Sequence, residues 1–113
     1  MLLDDTRALA DKLRSSEEYQ TYCETKERAY ASETTAALLS ELSALRMRTQ
    51  AAAVAGRPDP EAEQKLQKIG ELLQFDDAAA AYLLAEYRLN NLLGEIYKIL
   101  AEAVELDLGP LGA

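Results

Sequence analysis

The sequence predicts an all-α protein, a compact bundle of about three short helices and two long ones that pack antiparallel and contribute to a dimer. Good helix formers such as alanine, leucine and glutamate are abundant, whereas the 113 residues include only five glycines and three prolines. No stretch shows the strict alternation of apolar and polar residues that is typical of strands. Since this length suits one domain, residues 1–113 are expected to form a single helical domain.

Residues 1–30 are expected to hold two short helices. The first covers about Asp5–Arg14, with Asp4 or Asp5 as its N-cap, because a short carboxylate can accept hydrogen bonds from free backbone N–H groups. Helical spacing places a set of mainly apolar residues on one face of this helix: Leu2 or Leu3, Thr6, Leu9, Ala10 and Leu13.

The second short helix begins at the stretch SSEE. Ser15 or Ser16 is the expected N-cap, and Glu17 and Glu18 lie in the first turn, where negative charge is favourable. One face of this helix carries three tyrosines, the cysteine and a lysine: Tyr19, Tyr22, Cys23, Lys26 and Tyr30.

A long third helix is predicted over residues 33–55, beginning after Ser32 and ending at Gly56. Apolar or small residues recur along it at steps of three and four, which is the spacing of a helix-packing seam. They are Thr35, Leu38, Leu42, Leu45, Thr49 and Ala52.

The clearest break in the chain is the turn GRPDPE at residues 56–61. Asp59 is the expected N-cap, and Pro60 the first-turn residue, of a short fourth helix over residues 60–73. Its inward side chains are expected to be Ala62, Leu66, Ile69 and Leu73.

A long fifth helix is predicted over residues 77–106, capped by Asp76 or Asp77 and followed by a tail, 107–113, that contains Gly109 and Pro110. Its first apolar row again follows steps of three and four: Ala85, Leu89, Leu92, Ile96, Ile99, Ala103 and Leu106. A second row lies beside it, formed by Tyr82, Leu93, Tyr97 and Leu100.

Two adjacent apolar rows are wider than the stripe that one neighbouring helix covers. The short helices are too few to cover the remainder, so a symmetric homodimer is predicted. The interface candidates are Tyr82, Leu89, Leu93, Ile96, Tyr97 and Leu100.

Charge and composition exclude several classes of function. A net charge of −8 is unfavourable for contact with phosphates, so direct binding to nucleic acid is not expected. No stretch approaches the roughly 18 apolar residues that a membrane span needs, and the start MLLDDTRALADK lacks the features of a secretory signal. The single cysteine excludes an internal disulfide and suits a reducing compartment, so a cytoplasmic protein without membrane contact is predicted.

No constellation of residues indicates catalysis, and the prediction is that the protein is not an enzyme. The absence of histidine excludes histidine-dependent triads and the usual zinc sites. Cys23 lies in the middle of a helix between Tyr22 and Glu24, where nearby anions disfavour a thiolate, and one cysteine supplies only one of about four ligands of a closed metal site. Cys23 is therefore interpreted as a packing residue, and no catalytic, metal or cofactor site is predicted.

Three stretches carry a family resemblance. In RALADKLRSSEEYQTYCETKERAY, Ser16, Tyr19 and Tyr22 fit a Ser-x-x-Tyr-x-x-Tyr run, and SETTAALLSEL enters the long third helix. DDAAAAYLLAEYRLNNLLGEIYKIL then contains Tyr-Leu-x-Ala-Glu and Leu-Leu patterns. In this order and spacing, over nearly the whole chain, the sequence resembles the YlbF/YmcA family of small all-helical bacterial proteins.

The resemblance implies a compact fold with two long helices, self-association and no enzymatic activity. Some members are regulators in a three-protein complex that modulates an endoribonuclease in messenger-RNA processing and influences competence, biofilm formation and sporulation. Such complexes are associated with iron–sulfur clusters held by cysteines. This chain departs from that pattern, because it has one cysteine and ends in LGPLGA.

Two functional hypotheses remain open. The first is a non-catalytic regulatory or adaptor protein that acts through protein–protein contacts, as a homodimer or together with other family members. The alternative is a cofactor protein in which Cys23 is one ligand of an iron–sulfur cluster shared between chains.

Overall fold

A computed structural model describes residues 1–105, and within this range the chain forms five α-helices and no strand. They are α1 (Leu2–Arg14), α2 (Glu17–Tyr30), α3 (Glu33–Val54), α4 (Pro60–Gln74) and α5 (Asp77–Ala103). The all-α prediction is confirmed. The last residue predicted for the fifth helix, Leu106, and the tail 107–113 lie outside the described residues.

Four helices begin at a capping side chain, at or next to the start that the sequence predicted. In each, the side-chain oxygen accepts a hydrogen bond from the backbone N–H three residues ahead, over 3.1–3.4 Å. The capping residues are Ser16, Ser32, Asp59 and Asp76.

The N-terminus of α1 differs from the prediction. The helix begins at Leu2, and the cap position is occupied by Met1, which makes no side-chain cap bond. Asp4 and Asp5 therefore lie inside the first turn, where Asp4 pairs with Arg7 at 3.1 Å. Their charges still favour the helix, because the first turn carries the positive end of the helix dipole.

A five-residue turn between α3 and α4 forms a helical hairpin. Gly56 adopts a φ of +69°, a left-handed conformation that glycine tolerates best and that commonly ends a helix. The Asp59 carboxylate, which caps α4, also accepts a 2.7 Å hydrogen bond from Nε of Arg48 on α3. The turn, the cap and this ion pair together hold the two helices side by side.

The described residues divide into two compact units. Unit 2, residues 25–82, contains α3, α4, the end of α2 and the start of α5. Its core is apolar apart from Thr35, and consists of Ala29, Leu39, Leu42, Leu45, Ala62, Ile69, Leu73, Ala79 and Tyr82. Of the adjacent leucines 38 and 39 on α3, Leu39 is buried, whereas the predicted Leu38 is half-buried. The two residues are separated by about 100° around the helix, so packing decides which one faces the core.

Unit 1 comprises residues 1–24 and the described residues from Leu83 onward. It contains α1, the first half of α2 and most of α5. Among its described residues only Ala85 is buried, and α1 contributes no buried residue. The antiparallel packing of the two long helices and the dimer contact stay predictions.

A part-buried hydrogen bond connects α3 to the residue that precedes α5. The hydroxyl of buried Thr35 donates to Asp76, whose other carboxylate oxygen caps α5 through the N–H groups of Ala78 and Ala79. These hydrogen bonds, that from Thr35 foremost, hold the pKa of Asp76 below the usual aspartate value.

We expect the Asp76 carboxylate to make stability depend on pH in the acid range. Because the folded-state pKa is depressed, the stabilisation is complete above the unfolded-state pKa, about 4, and is lost as the pH falls through the folded-state pKa. The Asp76→Asn variant retains a capping oxygen but cannot titrate there, so its urea midpoint should fall less than that of the wild type between pH 6 and pH 3. Asp77→Asn, at the exposed neighbouring position, is the control, and an equal flattening in both variants would contradict the role of Asp76.

Candidate interaction surface

The six interface candidates on α5 do not share one environment. Tyr82 is only 6% exposed, and its ring meets Tyr30 edge to face, with centroids 5.8 Å apart. Both tyrosines belong to unit 2. The structure therefore places Tyr82 in the core of that unit, because the first turns of α5 are covered by their own chain.

The other five candidates lie in unit 1 and become more exposed toward the end of α5. Tyr97 and Leu100 are 51% and 54% exposed. The remaining three are half-buried: Leu89, Leu93 and Ile96. The accessible part of the predicted face is therefore its C-terminal half.

Further exposed apolar side chains of unit 1 were not among the candidates. On α5 they include Ile99, and on α1 they are Leu2, Leu3 and Leu9; Val104 follows directly after the end of α5. The sequence did show that most of them lie on the apolar face of their helix. An apolar face, however, is found both on helices that the chain itself covers and on helices that it leaves exposed. Only the burial of the folded chain shows that α1 is left uncovered.

Charges on the last turns of α5 are confined to one side of the helix. Between Asn90 and Val104 the only charged residues are Glu95, Lys98 and Glu102. At 100° per residue these three lie within a narrow sector, which leaves more than half of the circumference uncharged. Such a face is typical of a helix that packs against more than one neighbour.

A small cavity in unit 1 does not offer a comparable site. Glu17, Glu18 and Thr21 of α2 line it together with Ala85 and Arg88 of α5. Its volume of about 220 Å³ is below the roughly 300 Å³ at which small-molecule pockets begin. The mixed charges of its lining also do not define one class of ligand.

Cys23 is a half-buried free thiol on α2. Its hydrogen bond with Tyr19 is the main reason why the pKa of the Tyr19 phenol is raised, and the ring of Tyr19 stacks on Tyr22 with centroids 6.4 Å apart. Within residues 1–105, no group of three or more His, Cys, Asp or Glu side chains could hold a metal ion. With one cysteine and no histidine in the whole sequence, this chain by itself does not fit an iron–sulfur cluster.

Across the described part of the chain, none of the helices is both long enough and apolar enough to cross a bilayer.

Known proteins are similar to this chain over almost its full length. Residues 2–105 match the family model described as control of competence regulator ComK, YlbF/YmcA. A UPF0342 protein of Symbiobacterium thermophilum is 30% identical over 108 residues, which cover 95% of this chain and 96% of the relative. A UPF0342 protein of Halothermothrix orenii is also 30% identical over 108 residues, covering 95% and 92%.

Among solved structures, the chain is similar to one described as Bacillus subtilis RicA in complex with RicF. The sequence identity is 21%, the TM-score is 0.61, and the match covers 92% of this chain and 93% of that one. At this identity the similarity establishes the fold.

Proposed function

Because the chain belongs to the YlbF/YmcA family, we propose that it is a non-catalytic regulatory adaptor, which acts by binding other proteins in the cytoplasm. The observation that carries this proposal is the uncovered apolar surface of unit 1. Its described residues include only one buried side chain, whereas large apolar side chains on α1 and α5 are in contact with water.

The contact of these large apolar side chains with water is energetically unfavourable unless another molecule covers them. Each large apolar side chain gains about 1.5–3 kcal/mol when it is fully buried. Contiguous apolar surface on a small protein is typical of protein–protein contact sites. An adaptor uses such a surface directly, and needs no catalytic group.

The α1 helix is proposed as the contact for a partner protein. Leu2 and Leu9 are exposed at a seven-residue spacing on one helix face, which is the pattern of an amphipathic helix that packs into an apolar groove. Charged residues, among them Asp4, Arg7 and Asp11, lie on the opposite side of the same helix. That side is therefore compatible with water.

We identify the partner class as other YlbF/YmcA-family proteins of the same organism. The support is the solved relative of similar fold, RicA, which is described in complex with RicF. Control of competence, named in the description of the matching family, is the process proposed first. Messenger-RNA processing, biofilm formation and sporulation follow from the family resemblance and are part of the same proposal.

Replacing Leu2 and Leu9 together by serine is expected to weaken a complex with a family partner at least about ten-fold, because two apolar side chains then contribute nothing to the contact. Each YlbF/YmcA-family protein of the same genome would be mixed with this chain, and the dissociation constant measured by sedimentation velocity and fluorescence titration.

The matched control replaces two exposed apolar residues of unit 2, Leu72 and Phe75, by serine, and should leave the complex intact. If no family protein binds at tens of micromolar, the proposed function is contradicted. If the control weakens binding as much as the α1 variant does, the surface has been assigned to the wrong helix.

A further inference from the structure

The outward side of α3 carries no charge over the second half of the helix. Met47 and Val54 lie on the side of α3 opposite buried Leu45, and they are 72% and 85% exposed. Their exposed neighbours on this side are also uncharged: Ser43, Ala44, Gln50 and Ala51. The second half of α3 is therefore uncharged toward the solvent as well as toward the core.

This pattern differs from that of α4, which packs against α3 in the same hairpin. The exposed residues of α4 include Glu61, Lys65, Lys68 and Glu71. Nζ of Lys65 lies 3.1 Å from Oε1 of Glu61. A helix face in contact with water normally carries charges of this kind. An uncharged outward face is instead typical of a helix that contacts a further protein.

The shape of this side of α3 suits a second helix. A shallow, open groove of about 440 Å³ lies on it, lined by Met47, Gln50, Ala51, Val54 and Ala55. The first four of these have the spacing i, i+3, i+4 and i+7, so they form a four-residue hole into which a side chain of a facing helix can insert. A small molecule would meet only one wall here, whereas small-molecule sites bury most of their ligand.

Positive charge is concentrated around the groove. Residues 42–58 contain three of the 12 Lys/Arg residues and none of the 20 Asp/Glu residues of a chain whose net charge is −8. Arg46 and Arg48 lie on opposite flanks of the groove, each about 100° around the helix from Met47. Arg57 follows the end of the helix, and Arg48 stays half exposed although it pairs with Asp59.

We propose that the groove of α3 binds an amphipathic helix of a partner protein, in which an apolar row is flanked by Asp or Glu residues. Apolar side chains of that helix enter the hole between Met47 and Val54, and its carboxylates face Arg46 and Arg48. The inference goes beyond the proposed function, because it gives the chain a second protein contact, on a different helix from α1, and states the chemistry of the partner.

A nucleic acid suits the groove less well than an acidic helix. Affinity for nucleic acids depends on many Lys and Arg residues that neutralise phosphates. Here three arginines belong to a chain with a net charge of −8, and one of them is already paired. The middle of the groove is also apolar or small, which matches the side chains of a helix rather than a phosphate backbone.

Two synthetic helical peptides test the proposal. Both carry the same row of leucine and alanine, and the flanking positions are glutamate in one and lysine in the other. In fluorescence anisotropy at about 0.15 M salt, the glutamate peptide should bind several-fold more tightly, because its carboxylates meet the arginines. The net charge of −8 by itself favours the lysine peptide, so the expected preference reports the arginines at the groove.

Substitutions locate the binding site. Met47→Glu combined with Val54→Glu should weaken binding of the glutamate peptide at least about ten-fold, while circular dichroism stays helical because both side chains are exposed. The matched control, Leu72→Glu with Phe75→Glu, adds the same charge at exposed apolar positions of α4 and its end, and should bind as the wild type does. Arg46→Gln with Arg57→Gln should abolish the preference for glutamate over lysine.

Four results would overturn the inference. They are no binding of the glutamate peptide at hundreds of micromolar, equal or tighter binding of the lysine peptide, an equal loss in the control variant, and tighter binding of a single-stranded RNA oligonucleotide. A wild type that self-associates, and that Met47→Glu with Val54→Glu makes monomeric, would also overturn it, because a second copy then covers the groove.

Failure of this inference is distinguishable from failure of the proposed function. The Leu2→Ser, Leu9→Ser variant should bind the glutamate peptide as the wild type does. An α1-dependent family complex without peptide binding overturns the α3 contact alone. Peptide binding at α3 without binding to any family protein supports the α3 contact and contradicts the proposed function.

Discussion

Replacing Leu73 by alanine is expected to lower the free energy of unfolding by about 2–5 kcal/mol, because the change leaves a cavity in a fully packed site. Leu73 lies on α4 and is 0% exposed, in the core that α3 and α4 share. For a domain of this size, each 1 kcal/mol lowers the melting temperature by roughly 4–8 °C. Urea and thermal unfolding, followed by circular dichroism, measure the change.

The neighbouring Leu72 is a matched control of the same residue type on the same helix. It is 59% exposed, so Leu72→Ala should change the free energy of unfolding by no more than about 0.5 kcal/mol. Similar losses in the two variants would show that α4 is rotated from the orientation described. A small loss in both would place the core of unit 2 elsewhere.

Replacing Tyr97 by glutamate is expected to convert the predicted homodimer into a monomer without unfolding the chain. The ring is half exposed, so the chain tolerates a charge there, whereas the predicted dimer contact would bury two carboxylates close together. An unpaired buried charge costs several kcal/mol, and each 1.4 kcal/mol is a factor of ten in affinity. The dissociation constant of the dimer should therefore rise at least about 100-fold in sedimentation experiments.

Tyr87→Glu is the control for this variant. Tyr87 is also on α5 and 63% exposed, but it lies between Glu86 and Arg88, outside the uncharged face. This variant should remain dimeric. If Tyr97→Glu unfolds the chain, Tyr97 is a core residue of the monomer, and if both variants remain dimeric, the contact is on another helix.

The N-caps were the part of the fold most accessible from the sequence. Ser16, Ser32, Asp59 and Asp76 each act on a backbone N–H three residues ahead. Such a bond depends on residues close in the chain, so the local sequence limits the cap to one or two candidates. At α1 the predicted cap, Asp4 or Asp5, was wrong, because the helix begins earlier, at Leu2. Gly56 is a further case, because its lack of a side chain permits the positive φ that ends the helix there.

Assignments that depend on distant residues were less accessible. Leu38 and Leu39 are both leucines on the same helix, and only the packing of unit 2 places Leu39 in the core. Tyr82 belongs to the same apolar row as Tyr97, yet it is buried against Tyr30 whereas Tyr97 is exposed. Helical periodicity indicates which residues share a face of the helix. It does not indicate at which residue other parts of the chain stop packing against that face.

The sequence by itself determined the all-α class, the position of four side-chain caps to within one residue, the turn at Gly56 and the absence of a histidine or multi-cysteine site, because these follow from residue type and short-range spacing. The tertiary structure decided that unit 2 holds the packed core and that α1 and the end of α5 are left exposed. The physical reason is that burial is a property of the neighbours that surround a side chain, and those neighbours are brought together by the fold from distant parts of the chain. An amphipathic helix therefore has the same pattern whether its apolar face meets its own chain or another protein.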